Sequence, residues 1–526
     1  MFGQTESKGP LLLGIDLGTS SCKVGLFGAD GILVAAGSEP YPLHLSPGGG
    51  AEQEPEDWWS AVVAATTKVL KGDRGREVAG VGVAGQWSGT VPMGKDGKAL
   101  RRAVIWMDTR GEEWVRKATS GFPSISGYRV DRLLAWLRKT GGAPAHSGKD
   151  SAAHILYLKA REPGVYSSTT VFLEPKDYIN YRLTGEYAAS YDDIALTWVT
   201  DNRDPSLVSY DWGLLGMLGI DGSKLPPLKK STDVVGVVTR EAASALGIEA
   251  GTPVVAGAGD MQASLVGSGC TTPYRYLLYL GTSAWLTAHL PFKRTDIFHN
   301  IASLPSAMPG VYFVAAEQES AGSALGFARS LLFGGRPIPT FAELDSIAST
   351  VGPAEGDVLF APWLVGERTP VEDKDLRGAF ANLTMGTGTP QLLRAVLEGV
   401  AYNARWMLGP VEGLVGKKAD SIRISGGGGR SRLWCQIVAD VLGRRVQAVE
   451  EPVYATARGG AMLAGVGTGL ATFDGISSAV RTTSEFAPDP TNAKVYDRMF
   501  QAYLKFHAGI SSYYRVSNLN RGTRAT

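Results

Sequence analysis

The feature that most constrains the fold is a tetrapeptide that occurs twice. Leu-Gly-Thr-Ser stands at Leu17–Ser20 and again at Leu280–Ser283, about half a chain apart in a sequence of 526 residues. Each copy lies between two short apolar runs, which predicts a strand, a tight turn and a second strand. Because solenoid repeats recur every 20–50 residues or so, a repeat this distant predicts two copies of one domain.

The first copy of the turn carries groups that suit a metal-bound polyphosphate. Gly18 leaves backbone N–H groups accessible, while Thr19 and Ser20 supply hydroxyls. Lys23 adds an ammonium group, and Asp16 offers a carboxylate for Mg²⁺ that the second copy lacks. Taken alone, the segment is explained equally well as an ordinary hairpin with a glycine turn. The repeat favours a nucleotide between two domains, with the metal on the first.

Composition and charge limit the class of protein. Hydrophobic residues make up 44% of the chain and charged residues 20%, as in globular proteins with a full core. The net charge of +1 gives no reason to expect nucleic acid as a partner. The sequence shows no signal-like N-terminus and no apolar run of about 18 residues, so we predict no membrane segment. Three scattered cysteines, Cys22, Cys270 and Cys435, fit a reducing cytoplasm.

Polar residues collect where predicted strands end. Gln86 and Trp87 follow one predicted strand, and Asp108 follows the next. Asp260 comes directly after the buried strand predicted at Pro253–Ala258. Open α/β sheets bind ligands at such strand ends, which makes these residues candidates for a substrate site. Asp260 is explained equally well as the N-cap of the following helix.

Two further patterns are interpreted as structural. Gly80–Gly85 matches the GxGxxG pattern of dinucleotide-binding oxidoreductases, but its glycines lie inside an apolar run rather than after it. We therefore reject the dinucleotide interpretation. Asp192, Asp193 and Asp201 lie close together in the sequence, and we favour a solvated loop over contact with substrate.

A glycine tract in the second half predicts a ligand contact. The strand predicted at Ile422–Ile424 runs into Gly426–Gly429, and a helix follows at Leu433–Leu442. A ligand can lie against bare backbone and a helix N-terminus at such a place. A flexible linker is the alternative, but it is badly placed between a buried strand and an amphipathic helix.

These motifs together resemble the FGGY carbohydrate kinases, and among them the xylulokinase-like members. The resemblance is carried by DLGTS, GQWSG, IWMDTR, AGAGD, YLGTS, GAFANLT, QLLRAVLEGVAY and SGGGGRSRLWCQIVADVLG, in the family's order, and extends from Leu11 to Tyr514. It implies an α/β fold of two RNase H-like domains, as in the sugar kinase/Hsp70/actin architecture, with a catalytic cleft between them. The expected domains are residues 11–266 for sugar, metal and catalytic base, and 273–515 for nucleotide, with a flexible tail at 516–526.

The resemblance also implies a role for each candidate residue. Asp260 is expected to be the catalytic base, and Asp16 to position Mg²⁺. The expected nucleotide-binding residues are Thr19, Ser20, Lys23, Gly281, Thr282, Gly427, Gly428, Gly429 and Ser431. The expected substrate-binding residues are Gln86, Trp87, Asp108 and Asp260.

The implied activity is ATP- and Mg²⁺-dependent phosphorylation of a small sugar, with a ketopentose such as D-xylulose expected first. Xylulokinases typically have Met-His after the glutamine, where this chain has Trp87-Ser88. Ribulose, pentitols, glycerol and gluconate therefore stay open as substrates. A non-catalytic nucleotide switch of the Hsp70/actin architecture is the remoter alternative. The sequence does not determine the oligomeric state, and a homodimer stays open.

Overall fold

The computed structural model describes residues 9–70, 72–334 and 337–518. Over these residues the chain forms two α/β halves, each built around one large mixed sheet. Within the same ranges, no helix combines the length and the apolar character needed to cross a membrane.

The first half extends to the end of the ninth α-helix. Its elements are β1 (Leu11–Leu17), β2 (Ser21–Gly28), β3 (Leu33–Pro40), β4 (His44–Ser46), β5 (Gly50–Gln53), α1 (Pro55–Val69), β6 (Val78–Gly85), β7 (Val91–Met93), β8 (Ala103–Val104), α2 (Glu112–Thr119), β9 (Ser124–Ile125), β10 (Tyr128–Arg129), α3 (Val130–Lys139), α4 (Ser151–Arg161), α5 (Pro163–Ser168), β11 (Val171–Leu173), α6 (Pro175–Thr184), β12 (Ala189–Ser190), β13 (Thr200–Asp201), β14 (Ser209–Tyr210), α7 (Trp212–Leu218), β15 (Leu228–Lys229), β16 (Val234–Val237), α8 (Arg240–Leu246), β17 (Pro253–Gly259) and α9 (Asp260–Gly267).

The second half follows directly. Its elements are β18 (Tyr276–Leu280), β19 (Ala284–Leu290), β20 (Thr295–Asp296), β21 (Ile301–Pro305), β22 (Tyr312–Gln318), α10 (Gly322–Phe333), α11 (Phe341–Ala348), β23 (Leu359–Ala361), β24 (Ala379–Ala381), α12 (Thr389–Val415), β25 (Ser421–Ser425), α13 (Arg432–Leu442), β26 (Arg445–Val449), α14 (Ala455–Gly467), α15 (Phe473–Ala479), β27 (Thr482–Phe486) and α16 (Ala493–Asn518). Short 3-10 helices occur at Gly72–Glu77, Asp193–Thr197, Gly222–Lys224, Glu355–Asp357, Gly427–Arg430 and Pro452–Tyr454.

The two large sheets share one topology. The first has the order β16-β17-β6-β1-β2-β3. The second contains β27-β26-β25-β18-β19-β22, in which each strand occupies the place of its counterpart in the first. In each, a central strand pairs antiparallel with the next strand of the chain and parallel with a later one. The predicted domain duplication and the predicted α/β fold class are therefore confirmed.

The repeated turn joins the first two strands of each sheet. Every residue of β1 is buried, because this central strand has neighbours on both edges and helices over the sheet. The antiparallel register pairs Asp16 with Lys23 across the first turn. In the second copy, Tyr279 pairs with Trp285. The same backbone plan therefore presents different side chains in the two halves.

Helix α14 belongs to the second half of the sequence but packs on the sheet of the first. At Gly14, an added Cβ atom would lie 1.9 Å from the Ala457 carbonyl oxygen of this helix. At Gly82, it would lie 1.9 Å from the carbonyl oxygen of Gly460. These glycines let the helix approach the sheet backbone. Gly82 lies inside β6, so the GxGxxG match is a packing feature and its rejection as a dinucleotide site is consistent with the fold.

Two sequence-based expectations need correction or restriction. Asp192 and Asp193 are fully buried, so the solvated loop expected for them is wrong. They are buried because each contacts polar groups of the protein interior, as described below. Helix α16 reaches Asn518, three residues into the expected tail, and residues 519–526 lie outside the described part of the chain.

Candidate active site

The first copy of the turn brings a carboxylate and an ammonium group together. Lys23 Nζ lies 3.2 Å from Asp16 Oδ2, and the charge of Asp16 raises the pKa of Lys23. No described residue donates a hydrogen bond to the other Asp16 oxygen. The Trp106 indole donates to the Thr19 hydroxyl at 3.0 Å, and Ser20 is exposed at the end of the turn. The turn thus presents one carboxylate oxygen, hydroxyls and an ammonium side by side.

Asp260 is the first residue of α9 and lies near this turn. The N-cap residue of α9 is Gly259, so the N-cap role considered for Asp260 is wrong. Burial raises the pKa of Asp260 to about 8, with further contributions from the negative charges of Asp16 and Glu317. Among the described residues, the one hydrogen-bond donor to its Oδ1 is the local Met261 N–H, at 2.8 Å. A carboxylate with a pKa near the working pH is suited to general-base catalysis.

The second copy of the turn closes the site from the other half. Tyr279 stacks on Trp285 with ring centroids 3.9 Å apart, and burial raises the pKa of its phenol to about 12. The charges of Lys23, Asp16 and Asp260 all act on this phenol, which places the two halves against each other here. Gly281 and Thr282 follow Tyr279. Their carbonyl groups accept N–H groups from the start of α10, and Thr282 is exposed.

Gln86, an expected substrate-binding residue, offers an unsatisfied acceptor. Its Nε2 donates to Gln53 Oε1 at 2.7 Å, and Gln53 in turn donates to the Thr19 carbonyl at 2.6 Å. The Gln86 side-chain oxygen is buried and has no hydrogen-bond partner among the described residues. A buried acceptor without a partner is costly, so a ligand hydroxyl is a suitable donor for it.

The Asp108 carboxylate accepts hydrogen bonds from other residues of the protein. It is fully buried; Oδ2 accepts the Ala51 N–H at 2.9 Å, and Oδ1 accepts the Arg110 N–H at 2.9 Å. The Arg110 side chain also donates to it, through Nε at 2.9 Å from Oδ2. Both oxygens of Asp108 are therefore engaged by donors of the protein.

Trp87 connects the two halves. Its indole N–H donates to the Asp193 carbonyl at 2.7 Å, and its ring centroid lies 5.9 Å from that of Phe313 in β22. The side chain is half-buried, so part of the ring is accessible. An indole fixed in this way can present a face to the C–H groups of a sugar.

Sequence reasoning missed an ionic cluster at this junction. Arg368 bonds Glu317 at 2.5 Å and Glu319 at 3.0 Å, and Lys149 of the first half pairs with Glu319 at 3.2 Å. Burial opposes the charge of Glu319, but Arg368 and Lys149 lower its pKa to about 2. Glu367 fixes this cluster by accepting the backbone N–H groups of Glu319 and Arg368. Only the polar run from Glu367 to Pro370 could have indicated it.

The glycine tract places one open position beside a helix start. An added Cβ at Gly427 would meet no atom within 4 Å. At Gly428 it would contact Leu280, and at Gly429 it would contact Pro452. Ser431 caps α13 by accepting the Trp434 N–H at 2.9 Å. Of the three glycines expected at the adenosine, Gly427 is therefore the one at which an added Cβ would point into open space.

The residues present fit a metal–nucleotide complex. In the described part of the chain, no group of three or more His, Cys, Asp or Glu side chains could hold a metal ion. Asp16, with one oxygen free of protein donors, suits Mg²⁺, which takes one or two carboxylates plus phosphate oxygens and water. Gly427 and the exposed hydroxyls of Ser20 and Thr282 leave room for a nucleotide.

Comparison with known proteins also divides the chain into two domains, which correspond to its two halves. Residues 11–267 match the model for the N-terminal domain of the FGGY family of carbohydrate kinases, and residues 277–468 match that for its C-terminal domain. A xylulose kinase of Escherichia coli is 31% identical over 83% of this chain and 86% of its own. A gluconokinase of Bacillus subtilis is 27% identical over 97% and 98%. A crystal structure of a xyloylose kinase from Brucella ovis superposes with a TM-score of 0.81 at 26% identity, covering 96% of this chain and 100% of that one.

Proposed function

This chain belongs to the FGGY family of carbohydrate kinases, and we propose that it transfers the γ-phosphoryl group of ATP to a hydroxyl of a ketopentose such as D-xylulose. Sugar kinases of this family use ATP as the phosphate donor. The observation that carries the proposal is the convergence of Asp16, Lys23 and Asp260 between two copies of one turn. We keep the domain limits 11–266 and 273–515 as part of the proposal.

In the proposed reaction, Asp260 accepts the proton of the attacking sugar hydroxyl. The Gln86 side-chain oxygen accepts a second sugar hydroxyl, and the face of Trp87 supports the ring or chain. Asp108 acts indirectly, by holding Arg110 in place. Positioning of this kind matters because the phosphoryl-transfer transition state is loose and needs little covalent assistance.

The phosphate side of the site neutralises charge. Lys23, Thr19 and Ser20 surround the phosphates from the first half, and Gly281 and Thr282 do so from the second. Asp16 holds Mg²⁺, which when bound neutralises the charge that develops on the phosphate oxygens. Gly427 and the start of α13 at Ser431 receive the adenosine, with Gly428 and Gly429 as their support. Closure of the halves excludes water, which would otherwise compete with the sugar as acceptor.

The pairing of the cations favours a neutral sugar over an aldonate. Lys23 is paired with Asp16, and Arg110 donates to Asp108 and to Glu52 at 2.5 Å. The ionic cluster likewise engages its own two cations with carboxylates. The carboxylate of gluconate would have to displace one of these partners, which leaves a partly buried acid unpaired. A ketopentose needs only hydroxyl partners.

The first prediction concerns substrate choice. With Mg-ATP, a coupled ADP-release assay across ketopentoses, hexuloses, pentitols, glycerol and gluconate should show the highest kcat/KM with a ketopentose. A gluconate preference would select the second candidate, which the similarity to the Bacillus subtilis gluconokinase supports. A flat profile across all acceptors would contradict sugar phosphorylation itself. Heat-inactivated protein and an assay without acceptor are the controls.

The second prediction concerns pH. Because burial holds the pKa of Asp260 near 8, the carboxyl group is protonated and inactive as a base below that value. We expect kcat/KM for the sugar to rise about tenfold per pH unit between pH 6 and pH 7.5 and to level off above about 8. A pH series at saturating Mg-ATP measures this. A profile that is flat over the same range would show that another group accepts the proton.

A further inference from the structure

Lys176 is a fully buried lysine that the proposed mechanism does not use. It lies in the first turn of α6, close to the end of β6. A Cβ atom added at Gly85 would lie 3.0 Å from the Cβ atom of Lys176. Its ammonium group contacts the carboxylate of Asp177 and lies 3.3 Å from Asp193 Oδ2. Burying an ammonium group is costly, so the protein keeps it only where carboxylates compensate the charge.

The segment that Lys176 holds connects the two sides of the substrate site. The backbone carbonyl of Asp193 accepts the Trp87 indole N–H at 2.7 Å. The carboxylate of the preceding Asp192 accepts the Gly259 N–H at 3.0 Å, immediately before Asp260. The Asp192–Asp193 segment therefore contacts both Trp87 of the sugar-binding loop and Gly259, the residue that precedes Asp260.

A second carboxylate fastens the sugar-binding loop from the same interior. Glu174 lies two residues before Lys176, and its Oε2 accepts the Gly89 N–H at 2.6 Å. Its other oxygen accepts the Ser151 hydroxyl. The loop Gly85–Gly89 thus rests on the start of α6 at both of its ends, with Lys176 at one and Glu174 at the other.

We propose that Lys176 is a positioning residue for phosphoryl transfer, which fixes Trp87 and Asp260 relative to each other through the Asp192–Asp193 segment. The proposal rests on the proposed function for the roles of Trp87 and Asp260. Lys176 itself touches neither substrate nor reacting atoms. Its ammonium group acts as an internal cation that holds Asp193 against the corner between β6 and α6.

The experiment replaces Lys176 with methionine, which keeps the length of the side chain and removes its charge. We expect kcat/KM for the sugar to fall about 100-fold, because a small misplacement of a reacting group costs this much, while KM for ATP changes little. Arg394→Met is the matched control, since Arg394 is also buried and ion-paired, with Glu398 at 2.8 Å, but lies in α12 of the second half. It should lower the unfolding temperature without changing the sugar kinetics.

A double-variant cycle tests the route of the effect. Trp87→Phe removes the indole donor to Asp193, so its effect should overlap with that of Lys176→Met, and the double variant should lose little more activity than the worse single variant. Multiplicative losses would overturn the proposal, as would unchanged kinetics for Lys176→Met.

If Lys176→Met does not fold, Asp193→Asn leaves Lys176 paired with Asp177 and should raise KM for the sugar by the same route. Unchanged sugar kinetics in Asp193→Asn would overturn the proposal too.

A spectroscopic readout separates this proposal from the proposed function. The indole ¹⁵N–H resonance of Trp87, assigned by its absence in Trp87→Phe, should shift in Lys176→Met or Asp193→Asn and stay in place in Arg394→Met. This measurement needs no turnover, so a wild-type protein that phosphorylates no sugar would refute the proposed function and leave this test readable. An unmoved Trp87 resonance in the Lys176 and Asp193 variants would refute the positioning role of Lys176.

Discussion

Replacing Asp260 with asparagine should lower sugar phosphorylation by about 10²–10⁴-fold, the usual contribution of a general base. The amide cannot accept the hydroxyl proton, whereas Asp16, Lys23 and the two turns are unchanged. Binding of Mg-ATP should therefore persist. Coupled ADP release with saturating sugar measures turnover, and a nucleotide-binding titration measures the second claim. Turnover near the wild-type value would remove Asp260 from its assigned role.

The same substitution should raise stability at pH 8. Burial and the charges of Asp16 and Glu317 raise the pKa of Asp260 from 3.8 to about 8. Between these two values the folded protein binds a proton that the unfolded chain has released, so stability falls as pH rises through this window. Asparagine carries no charge and avoids this loss. Its unfolding temperature should exceed that of the wild type at pH 8, and the difference should shrink towards pH 4.

This stability measurement is also the control for misfolding. Loss of turnover together with a lower unfolding temperature at pH 8 would indicate a damaged fold instead of a missing base. Asp420→Asn is a matched substitution at an exposed acid in the second half, where neither turnover nor its pH dependence should change. The combination of lost activity and gained stability is specific to a functional carboxylate held in an unfavourable environment.

The fold was predictable because local patterns and the global duplication agree. The buried strands at Leu11–Leu17 and Pro253–Gly259 follow from apolar runs in the sequence. The packing of α14 across to the first sheet was not predictable, since nothing local in that helix says which sheet it covers. The burial of Asp192 and Asp193 was not predicted from the sequence, for a similar reason. Lys176, which pairs with Asp193, and the donors to Asp192 come from other elements, so the spacing of the two acids alone suggested a solvated loop.

Some residues of the candidate site were likewise identifiable from the sequence, and others were not. Asp16 and Asp260 were identifiable because each lies at or near the end of a predicted buried strand, and the structure places their charges close enough to interact. Asp108 was identified by its motif, but the protein donors that engage both of its oxygens could not be predicted from that motif. The ionic cluster of Lys149 and Arg368 joins residues far apart in the sequence, and no local pattern reports such a pairing.

Replacing Gly82 with alanine should destabilise the protein by about 3 kcal/mol, near the upper end of overpacking substitutions. The added Cβ would lie 1.9 Å from the Gly460 carbonyl oxygen, which is backbone and cannot rotate away. Helix α14 would have to move off the sheet. It also packs on α9, where Gly459 lies against the Ala263 carbonyl, so the helix that begins with Asp260 should shift and turnover should fall as well.

Gly413→Ala provides the matched control for this prediction. Gly413 lies in the interior of α12, where an added Cβ meets no atom within 4 Å. Alanine should therefore stabilise the protein by about 0.5–1 kcal/mol, through the lower conformational entropy of its unfolded chain. Thermal and urea unfolding of both variants measure the contrast. Equal and small effects would mean that α14 tolerates displacement, and that the glycines of the Gly80–Gly85 pattern are not required for the contact between the two halves.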